Sequence, residues 1–357
     1  IRRLTDKDNP CSAEDLLIVT FTRAATAQMR EKIGAAILKR LSENPTDRHL
    51  RRQYMLLPFA KICTIDSFCN DLVRENFHAL GISPDYSLLD NETAVIMKND
   101  VCDAMLERAY EEDSDGSFSG LSDMMSSGSS DEDFAKLIIK MYDISTAYPF
   151  PDLWLDSLIE EYSQPDINKS CWGGIIKKYV CDMLDYCVSS SNDMMTAMES
   201  DPIVADAYGA AVRSDINMYA ELREKVNRDW DEALEAFKTV KYMSLGRVPK
   251  GYESETKNAV MTARKKLKDL LKKVPNIMCV SSGEHAEDVR LLCGPVTKLI
   301  ELVKQFGREY SAEKDKMNSA DFSDILHRAL NLLAVSDGSG GYIKTDLARE
   351  LSSHYVE

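Results

Sequence analysis

The stretch Leu16-Leu-Ile-Val-Thr-Phe-Thr-Arg-Ala-Ala-Thr-Ala-Gln-Met-Arg30 decides the fold of the first part of the chain. It opens with a short apolar, β-branched run and continues at once into a polar, alanine-rich segment. In that segment Met29, Ile33, Ala36 and Ile37 recur at helical spacing. The pattern predicts a buried strand that leads directly into a helix.

A second copy of this pattern follows later in the chain. Lys61–Ile65 is a short apolar run, and the helical pattern after it passes through Leu72 and Val73. Asp66 and Ser67 stand where a helix N-cap is expected, because their side-chain oxygens can accept hydrogen bonds from the first backbone N–H groups. Two strand-to-helix units predict a parallel α/β sheet.

Helical patterns dominate the rest of the chain. After the turn at Gly81–Pro84 no convincing strand pattern follows through the middle of the sequence, and apolar residues such as those of Val296–Tyr310 recur at helical spacing. The Ser/Gly/Asp-rich stretch from residue 111 to residue 133 is predicted to be a loop or a disordered segment. Asp321 is expected to cap a late amphipathic helix, and a Gly/Ser loop at Gly338–Gly341 to precede one more helix. The fold class is therefore mainly α with a small parallel α/β part.

Composition narrows the class of protein. The 357 residues suffice for two domains with full cores. No apolar run approaches the ~20 residues that a membrane helix needs, and no charged-then-apolar leader opens the chain. The nine cysteines include no Cys-x-x-Cys pair, which favours free thiols over a zinc site or a disulfide framework. We therefore expect a soluble, cytoplasmic protein without a membrane partner.

Charge is unevenly distributed along the sequence. The net charge of −15 argues against a protein whose whole surface grips nucleic acid. Residues 238–273, however, contain eleven lysines or arginines and three acidic residues, a net charge of +8. A local basic surface is therefore compatible with the acidic whole.

Two motifs carry a resemblance to a known family. Ile18–Arg30 closely resembles motif Ia of the UvrD/Rep superfamily 1 helicases, and Thr64-Ile-Asp-Ser-Phe-Cys69 resembles the next motif, usually written Thr-Ile-His-Ser-Phe. Three further stretches, Arg74–His78, Arg264–Lys268 and Asp321–Leu330, are similar to the AddA subunit of AddAB-type ATP-dependent helicase/nucleases. The resemblance covers essentially the whole chain.

This resemblance implies a domain organisation and a role in the parent protein. Residues 1–80 and 315–357 would be parts of the first motor domain (1A), interrupted by a helical accessory domain of the 1B type at 81–314. The family's Walker A loop is expected before Ile1 and its Walker B strand after Glu357. The parent protein would use ATP and Mg²⁺, act on DNA in double-strand break processing and recombinational repair, and pair with an AddB-type subunit. The chain itself would hold no cofactor and no catalytic residue.

The candidate single-strand site lies where the two predicted strands end. Thr22 with Arg23, and Thr64 with Ser67, stand at adjacent strand-to-helix junctions, where hydroxyls, amides and a guanidinium could converge on phosphates. The family resemblance implies single-stranded DNA as the ligand, with Phe21 stacking on a base. The alternative is that the polar residues only cap helices and Phe21 only fills the core. Asp66 departs from the family's His and is expected to cap its helix.

The basic segment contains a second candidate site. On a helix from about Val260 to Val274, apolar residues gather on one face, and Lys265, Lys268 and Lys272 are expected on the other. The accessory domain of related motors lies against duplex DNA, so these lysines are candidates to contact duplex phosphates. The alternatives are a solvated helix face, or a helical module whose main task is to bind the partner subunit.

Two other groups of residues invite a chemical interpretation that the sequence does not favour. Asp321, Asp324 and His327 contain metal-ligand types, but acids are common at a helix start and no further ligand is nearby. Gly338–Thr345 resembles a phosphate loop in composition only, because Ile343 stands where Walker A requires Gly before Lys. We predict neither a metal site nor a nucleotide site there.

Overall fold

A computed structural model describes residue 4 and residues 11–114, 116–125, 131–337 and 341–355, with the side chains of residues 117, 123 and 131 excepted. The chain divides into two compact units, residues 1–154 with 301–357 and residues 155–300. The inserted accessory domain that the family resemblance implies, residues 81–314, stays a prediction; of that range, residues 81–154 and 301–314 belong to the first compact unit and residues 155–300 form the second.

The first unit contains the predicted parallel strands. β1 (Leu17–Thr20) and β2 (Lys61–Thr64) pair in parallel, from Leu17 beside Lys61 to Thr20 beside Thr64. α1 (Arg23–Glu43) follows β1 directly, α2 (Arg48–Leu56) precedes β2, and α3 (Ile65–Glu75) follows β2. Both strand-to-helix predictions are confirmed, and each strand is shorter by about a residue at the junction than its apolar run.

The caps at the two junctions differ from the prediction for α3. Thr22 caps α1, and Thr64, rather than Asp66 or Ser67, caps α3. Because the helix begins at Ile65, only the Thr64 hydroxyl is placed to accept the Ser67 N–H, at 3.2 Å. Asp66 lies inside the first turn of α3, where a carboxylate complements the positive end of the helix dipole.

The remaining elements of the first unit are mostly helices. β3 (Ser87–Leu88) pairs in parallel with β4 (Ser319–Ala320), a two-residue contact too short to leave a sequence pattern. β5 (Ala334–Ser336) and β6 (Tyr342–Lys344) form an antiparallel hairpin. The helices are α4 (Phe77–Leu80), α5 (Asn91–Glu111), α6 (Ser117–Met125), α7 (Asp131–Ser145), α15 (Phe322–Leu333) and α16 (Asp346–His354).

The stretch Glu111–Asp133 is not simply a loop, and that prediction was wrong over α6. The Asp113 carboxylate accepts the backbone N–H groups of Phe118 and Ser119 at 3.0 and 2.9 Å, which anchors the start of the helix. Phe118 and Leu121 are buried. The helix therefore buries apolar side chains of its own within the Ser/Gly-rich stretch. Residues 126–130 of the stretch lie outside the described part, as do residues 338–340 of the predicted Gly/Ser loop.

The second unit is helical throughout its described elements. α9 (Cys171–Met198) and α10 (Pro202–Arg228) pack along each other, and α11 (Trp230–Lys238), α12 (Glu255–Leu271) and α13 (Val274–Ile277) complete its core. α8 (Pro151–Glu161) and α14 (Ser282–Lys316) contain the points where the chain passes between units. Among the helices built from described residues, none is long and apolar enough to cross a bilayer. The described residues include all nine cysteines, and no disulfide joins them.

Candidate nucleic-acid interface

The carboxyl ends of β1 and β2 meet at one edge of the first unit. Thr20 and Thr64 are register partners and are the last residues of their strands, so the helices that follow begin side by side. The N–H groups of a first helical turn have no intrahelical acceptor, and the helix dipole makes that end positive. Two such ends at one edge form a surface suited to an anion.

The threonine hydroxyls at this edge are already engaged within the protein. Thr22 Oγ1 accepts the Ala25 N–H at 3.1 Å, and Thr64 Oγ1 makes the corresponding bond to Ser67. Thr20 Oγ1 lies 2.6 Å from Thr26 Oγ1, which ties β1 to α1. Thr22 and Thr64 are therefore caps, and they shape the edge by fixing where the free backbone N–H groups stand.

A cavity of about 640 Å³ opens at this edge. Phe21 lines it with 92% of its surface exposed, which rules out the interpretation of Phe21 as a core residue. The exposed Arg23 guanidinium lies beside it. Of the five residues predicted for the single-strand site, only Thr22 is outside the lining of this cavity. The lining consists of Phe21, Arg23, Thr26, Ile62, Cys63, Thr64, Asp66, Ser67, Asn70, Leu88, Phe322 and Ile325.

Sequence reasoning missed the far wall of this cavity. Phe322, with 51% of its surface exposed, comes from the first turn of α15, and Leu88 comes from β3. Asn70 accepts the Tyr86 hydroxyl at 2.8 Å and adds a polar group. One sequence signal could have pointed to this wall: an aromatic residue, Phe322, stands immediately after the helix cap at Asp321. Helical periodicity instead assigns Phe322 to the buried, apolar face of that helix.

Two further basic groups near the edge, Arg30 and Lys61, are held by partners, whereas the exposed Asp66 carboxylate lines the cavity together with Arg23. The Arg30 guanidinium donates to the Pro58 and Ile62 carbonyl oxygens at 3.2 and 3.0 Å, which fixes β2 against α1. Lys61 forms an ion pair with Asp71 at 2.7 Å. Burial raises the pKa of the Cys63 thiol, so this group stays neutral near pH 7. The edge therefore presents little net charge, and its anion-binding capacity comes mainly from backbone dipoles and Arg23.

The acidic group at the start of α15 already surrounds a cation from the protein. The Lys314 ammonium lies 3.0 Å from Asp321 Oδ2 and 2.7 Å from Asp324 Oδ1. His327 Nε2 is 2.9 Å from the carbonyl oxygen of Thr146. The two carboxylates thus serve an internal ion cluster, and His327 binds the backbone of another segment.

Lys344 lies in a strand. Tyr342–Lys344 forms β6, and α16 begins only after Thr345, whose hydroxyl accepts the Ala348 N–H at 3.2 Å. A Walker A lysine instead follows a glycine loop that wraps the phosphates. The backbone at Lys344 therefore has the extended form of a hairpin.

The basic helix α12 presents its lysines unequally. Lys265 and Lys272 are exposed, although Lys272 pairs with Asp269 of the same helix at 2.9 Å. Lys268 is not directed outward as expected: it is half-buried, with its ammonium 4.4 Å from the centre of the Tyr242 ring. Burial and the neighbouring Arg264 lower the pKa of Lys268. The residues from 239 to 254 run across the helices without regular structure, which explains how Tyr242 reaches this face.

Arg264 belongs to the core of the second unit. Its guanidinium donates to Asp215 at 2.6 and 3.0 Å and to the Met243 carbonyl oxygen at 2.7 Å. Both Arg264 and Asp215 are buried. One of the eleven basic residues of the 238–273 segment is therefore neutralised inside the fold.

The fold and the sequence together define the class of this chain. A sequence model of the UvrD/REP helicase N-terminal domain matches residues 2–356, and the chain belongs to that family. Among curated proteins it is similar to the A subunit of the ATP-dependent helicase/nuclease of Lachnoclostridium phytofermentans, with 32% identity over 370 residues. That alignment covers 100% of this chain and 26% of the relative.

Two further relatives carry the same name. The proteins of Ruminiclostridium cellulolyticum and Clostridioides difficile are each 29% identical, over 368 and 372 residues, and the alignments cover all of this chain and 29% of each relative. The chain thus spans between a quarter and a third of the length of these relatives. The predicted family resemblance is confirmed.

Proposed function

We propose that the edge formed by β1 and β2 binds single-stranded DNA. The observation that carries this proposal is the convergence of two helix N-termini, the exposed Phe21 and Arg23 around one cavity. Backbone N–H groups and Arg23 would contact phosphates, and Phe21 would stack on a base. Thr22, Thr64 and Ser67 take part by fixing the two helix starts.

The proposed role of the parent protein follows from the relatives. We propose a DNA helicase/nuclease component that acts in double-strand break processing and recombinational repair, uses ATP with Mg²⁺, and pairs with an AddB-type subunit. Membership of the helicase family and the names of the relatives support this proposal. The proposed DNA substrate and nine cysteines held without disulfides favour the cytoplasm. Catalysis would reside outside these 357 residues.

We propose that residues 81–314 form the accessory domain and that its main part is the second unit. The second unit is compact and helical. It interrupts the first unit in sequence, because β1 and β2 precede it and α15 follows it. We propose that Lys265 and Lys272 contact duplex phosphates. Lys268 is a weaker candidate, because binding a phosphate would draw its ammonium away from the Tyr242 ring.

The single-strand site is tested by fluorescence anisotropy with labelled oligo-dT. Phe21→Ala should weaken binding about tenfold, because one stacked base contributes ~1–3 kcal/mol. Phe59→Ala is the matched control, since Phe59 is 76% exposed but lies outside the cavity lining. Arg23→Gln, compared with Arg52→Gln on α2, tests the guanidinium in the same way. Equal binding by Phe21→Ala and Phe59→Ala would remove Phe21 from the site.

A second candidate function is docking of a partner protein by the second unit. On α9 an apolar stripe of Trp172, Ile175, Tyr179 and Tyr186 is exposed, at spacings that place all four on one helix face. Tyr and Trp are typical of interface centres, and such a stripe suits a groove on another protein. Since the relatives are named as subunits, the occupant we propose is the other subunit of the same enzyme.

Co-purification of the two subunits tests the docking surface. Ile175→Asp with Tyr179→Asp should abolish recovery of the partner at moderate protein concentration, because a buried unpaired carboxylate is costly. Ile96→Asp on α5 is the control, since Ile96 is similarly exposed but lies in the first unit. Undiminished recovery with the α9 double variant would exclude this stripe as the contact.

A further inference from the structure

A buried ion cluster stands at the start of α15, close to the cavity at the strand edge. Lys314, on α14, is 1% exposed, and its ammonium lies between the carboxylates of Asp321 and Asp324. The same ammonium lies 4.1 Å from the centre of the Tyr310 ring, within range of a cation–π contact. A lysine charge is seldom buried, and this one is matched on three sides.

The two carboxylates are also the cap of α15. Asp321 Oδ1 accepts the Asp324 N–H at 2.9 Å, and Asp324 Oδ2 accepts the Asp321 N–H at 2.8 Å. Lys314 therefore bonds the capping box itself, and its charge neutralises one of the two acids that form it. The ammonium thus contacts both of the side chains that cap the start of α15.

The chain between Lys314 and the cap is tightly turned. Ser319 donates its hydroxyl to the Lys314 carbonyl oxygen at 3.1 Å, and Asn318 adopts a left-handed backbone conformation with φ of 45°. Ser87 N–H donates to the Asn318 carbonyl oxygen at 3.0 Å, which joins this turn to β3. The Lys314 side chain thus closes a short loop that links the end of α14, β4 and the start of α15.

The first turn of α15 forms one wall of the cavity. Phe322 follows Asp321 directly and Ile325 follows Asp324, and both line the cavity that Phe21 and Arg23 also line. A rotation of the α15 cap would displace Phe322 first. We propose that Lys314 is a positioning residue for the single-strand site: by holding the capping box of α15 it sets the place of the wall that carries Phe322.

A purely structural role would not require a charge here. Replacing a buried ion cluster by apolar or neutral groups of similar size is often neutral or stabilising, whereas removing one partner alone is strongly destabilising. Folding stability alone therefore gives little reason for three charges at this cap. The inference rests on the proposed single-strand function, so the experiment must separate a failure of the Lys314 role from a failure of the single-strand site.

The test uses a neutral version of the cluster in the full 357-residue chain. Lys314→Met combined with Asp321→Asn and Asp324→Asn removes all three charges while Asn retains the ability to cap. Lys98→Met is the matched control, because Lys98 lies 5.7 Å from the same Tyr310 ring but pairs with Asp143 rather than with the two acids that cap α15. Lys314→Arg tests whether a cation of different shape restores the site.

The readouts are thermal unfolding and the binding of oligo-dT that carries one 2-aminopurine, whose fluorescence reports stacking. We expect the folded neutral triple variant to bind about tenfold more weakly, the effect of about one lost stacking contact, with an altered 2-aminopurine signal. Lys98→Met should bind as the parent chain does, and Lys314→Arg should recover part of the loss. If the triple variant is unfolded, the comparison is made with Lys314→Arg and Lys98→Met alone, and equal binding and signal in those two overturns the inference.

The outcomes distinguish the inference from the proposed function. A folded triple variant with parental affinity and parental 2-aminopurine signal overturns the positioning role if Phe21→Ala still weakens binding. If Phe21→Ala has no effect either, the single-strand site itself is misplaced and the positioning role fails with it.

Discussion

The strand edge of the first unit and the basic helix of the second differ in how they present positive potential. At the edge the charges of the Arg23 guanidinium and the Asp66 carboxylate offset each other in the cavity lining. The positive potential there comes from two helix N-termini, which converge beside an exposed aromatic side chain. On α12 the charge is dense in sequence, but Arg264 is buried, Lys268 lies over Tyr242 and Lys272 has an intrahelical partner. The number of basic residues in a segment therefore overstates the potential available to a ligand.

The largest expected effect comes from breaking the buried Asp215–Arg264 ion pair in the core of the second unit. Asp215→Ala leaves the Arg264 guanidinium buried without its partner, and should lower the free energy of unfolding by about 3–5 kcal/mol. The control is Asp185→Ala, which removes a similar but exposed pair with Arg223 and should cost less than about 1 kcal/mol. Urea denaturation followed by circular dichroism measures both.

A double variant tests whether stability needs the Asp215–Arg264 ion pair itself or only the absence of an unpaired buried charge. Asp215→Leu with Arg264→Met should recover most of the lost stability, because no charge is then left buried. Equal losses from Asp215→Ala and Asp185→Ala would contradict the buried character assigned to Arg264.

A smaller effect concerns the caps at the strand edge. Thr64→Ala should cost about 1 kcal/mol of unfolding free energy, because the Ser67 N–H loses its acceptor, and Thr64→Ser should keep the cap. Oligo-dT affinity of Thr64→Ser should match that of the parent chain. A serine variant with parental stability but weakened DNA binding would show that the threonine methyl group contacts DNA, and that the residue does more than cap α3.

The smallest effect is expected on α12. Lys265→Gln with Lys272→Gln should flatten the plot of log K against log salt for duplex binding by about 1.8, from ~0.9 per phosphate contact. Adding Lys268→Gln should flatten it by less than a further ~0.9, because that ammonium is held over Tyr242. A salt series of anisotropy titrations gives the slopes, and an unchanged slope in the double variant would assign α12 to a solvated face.

Local pattern predicted part of this structure well. The strands β1 and β2, their parallel pairing and the helices after them follow from apolar runs that give way to helical spacing. The burial of Leu299, Ile300, Val303, Phe306 and Tyr310 on α14 follows from the same periodicity. These features depend on residues close together in the chain, so the sequence displays them directly.

Other features depend on partners far away in sequence. Phe322 reaches the cavity because α15, far later in the chain, packs against α3, which begins at the strand edge. Lys268 is half-buried because residues without regular structure carry Tyr242 across it. No local pattern encodes these two contacts. The cap of α3 is different, because it is local: Thr64 rather than Asp66 caps the helix since the strand ends one residue earlier than the apolar run.

The central claim is that single-stranded DNA binds at the strand edge through backbone and stacking contacts rather than on the basic helix. Photocrosslinking of an oligonucleotide substituted with 5-iododeoxyuridine, followed by mass spectrometry of the peptides, tests it most directly, because the iodouracil couples to aromatic side chains that it stacks on. We predict crosslinks to the peptide that contains Phe21, lost in Phe21→Ala and retained in Phe59→Ala. Crosslinks confined to residues 238–273, unchanged by Phe21→Ala, would contradict the account.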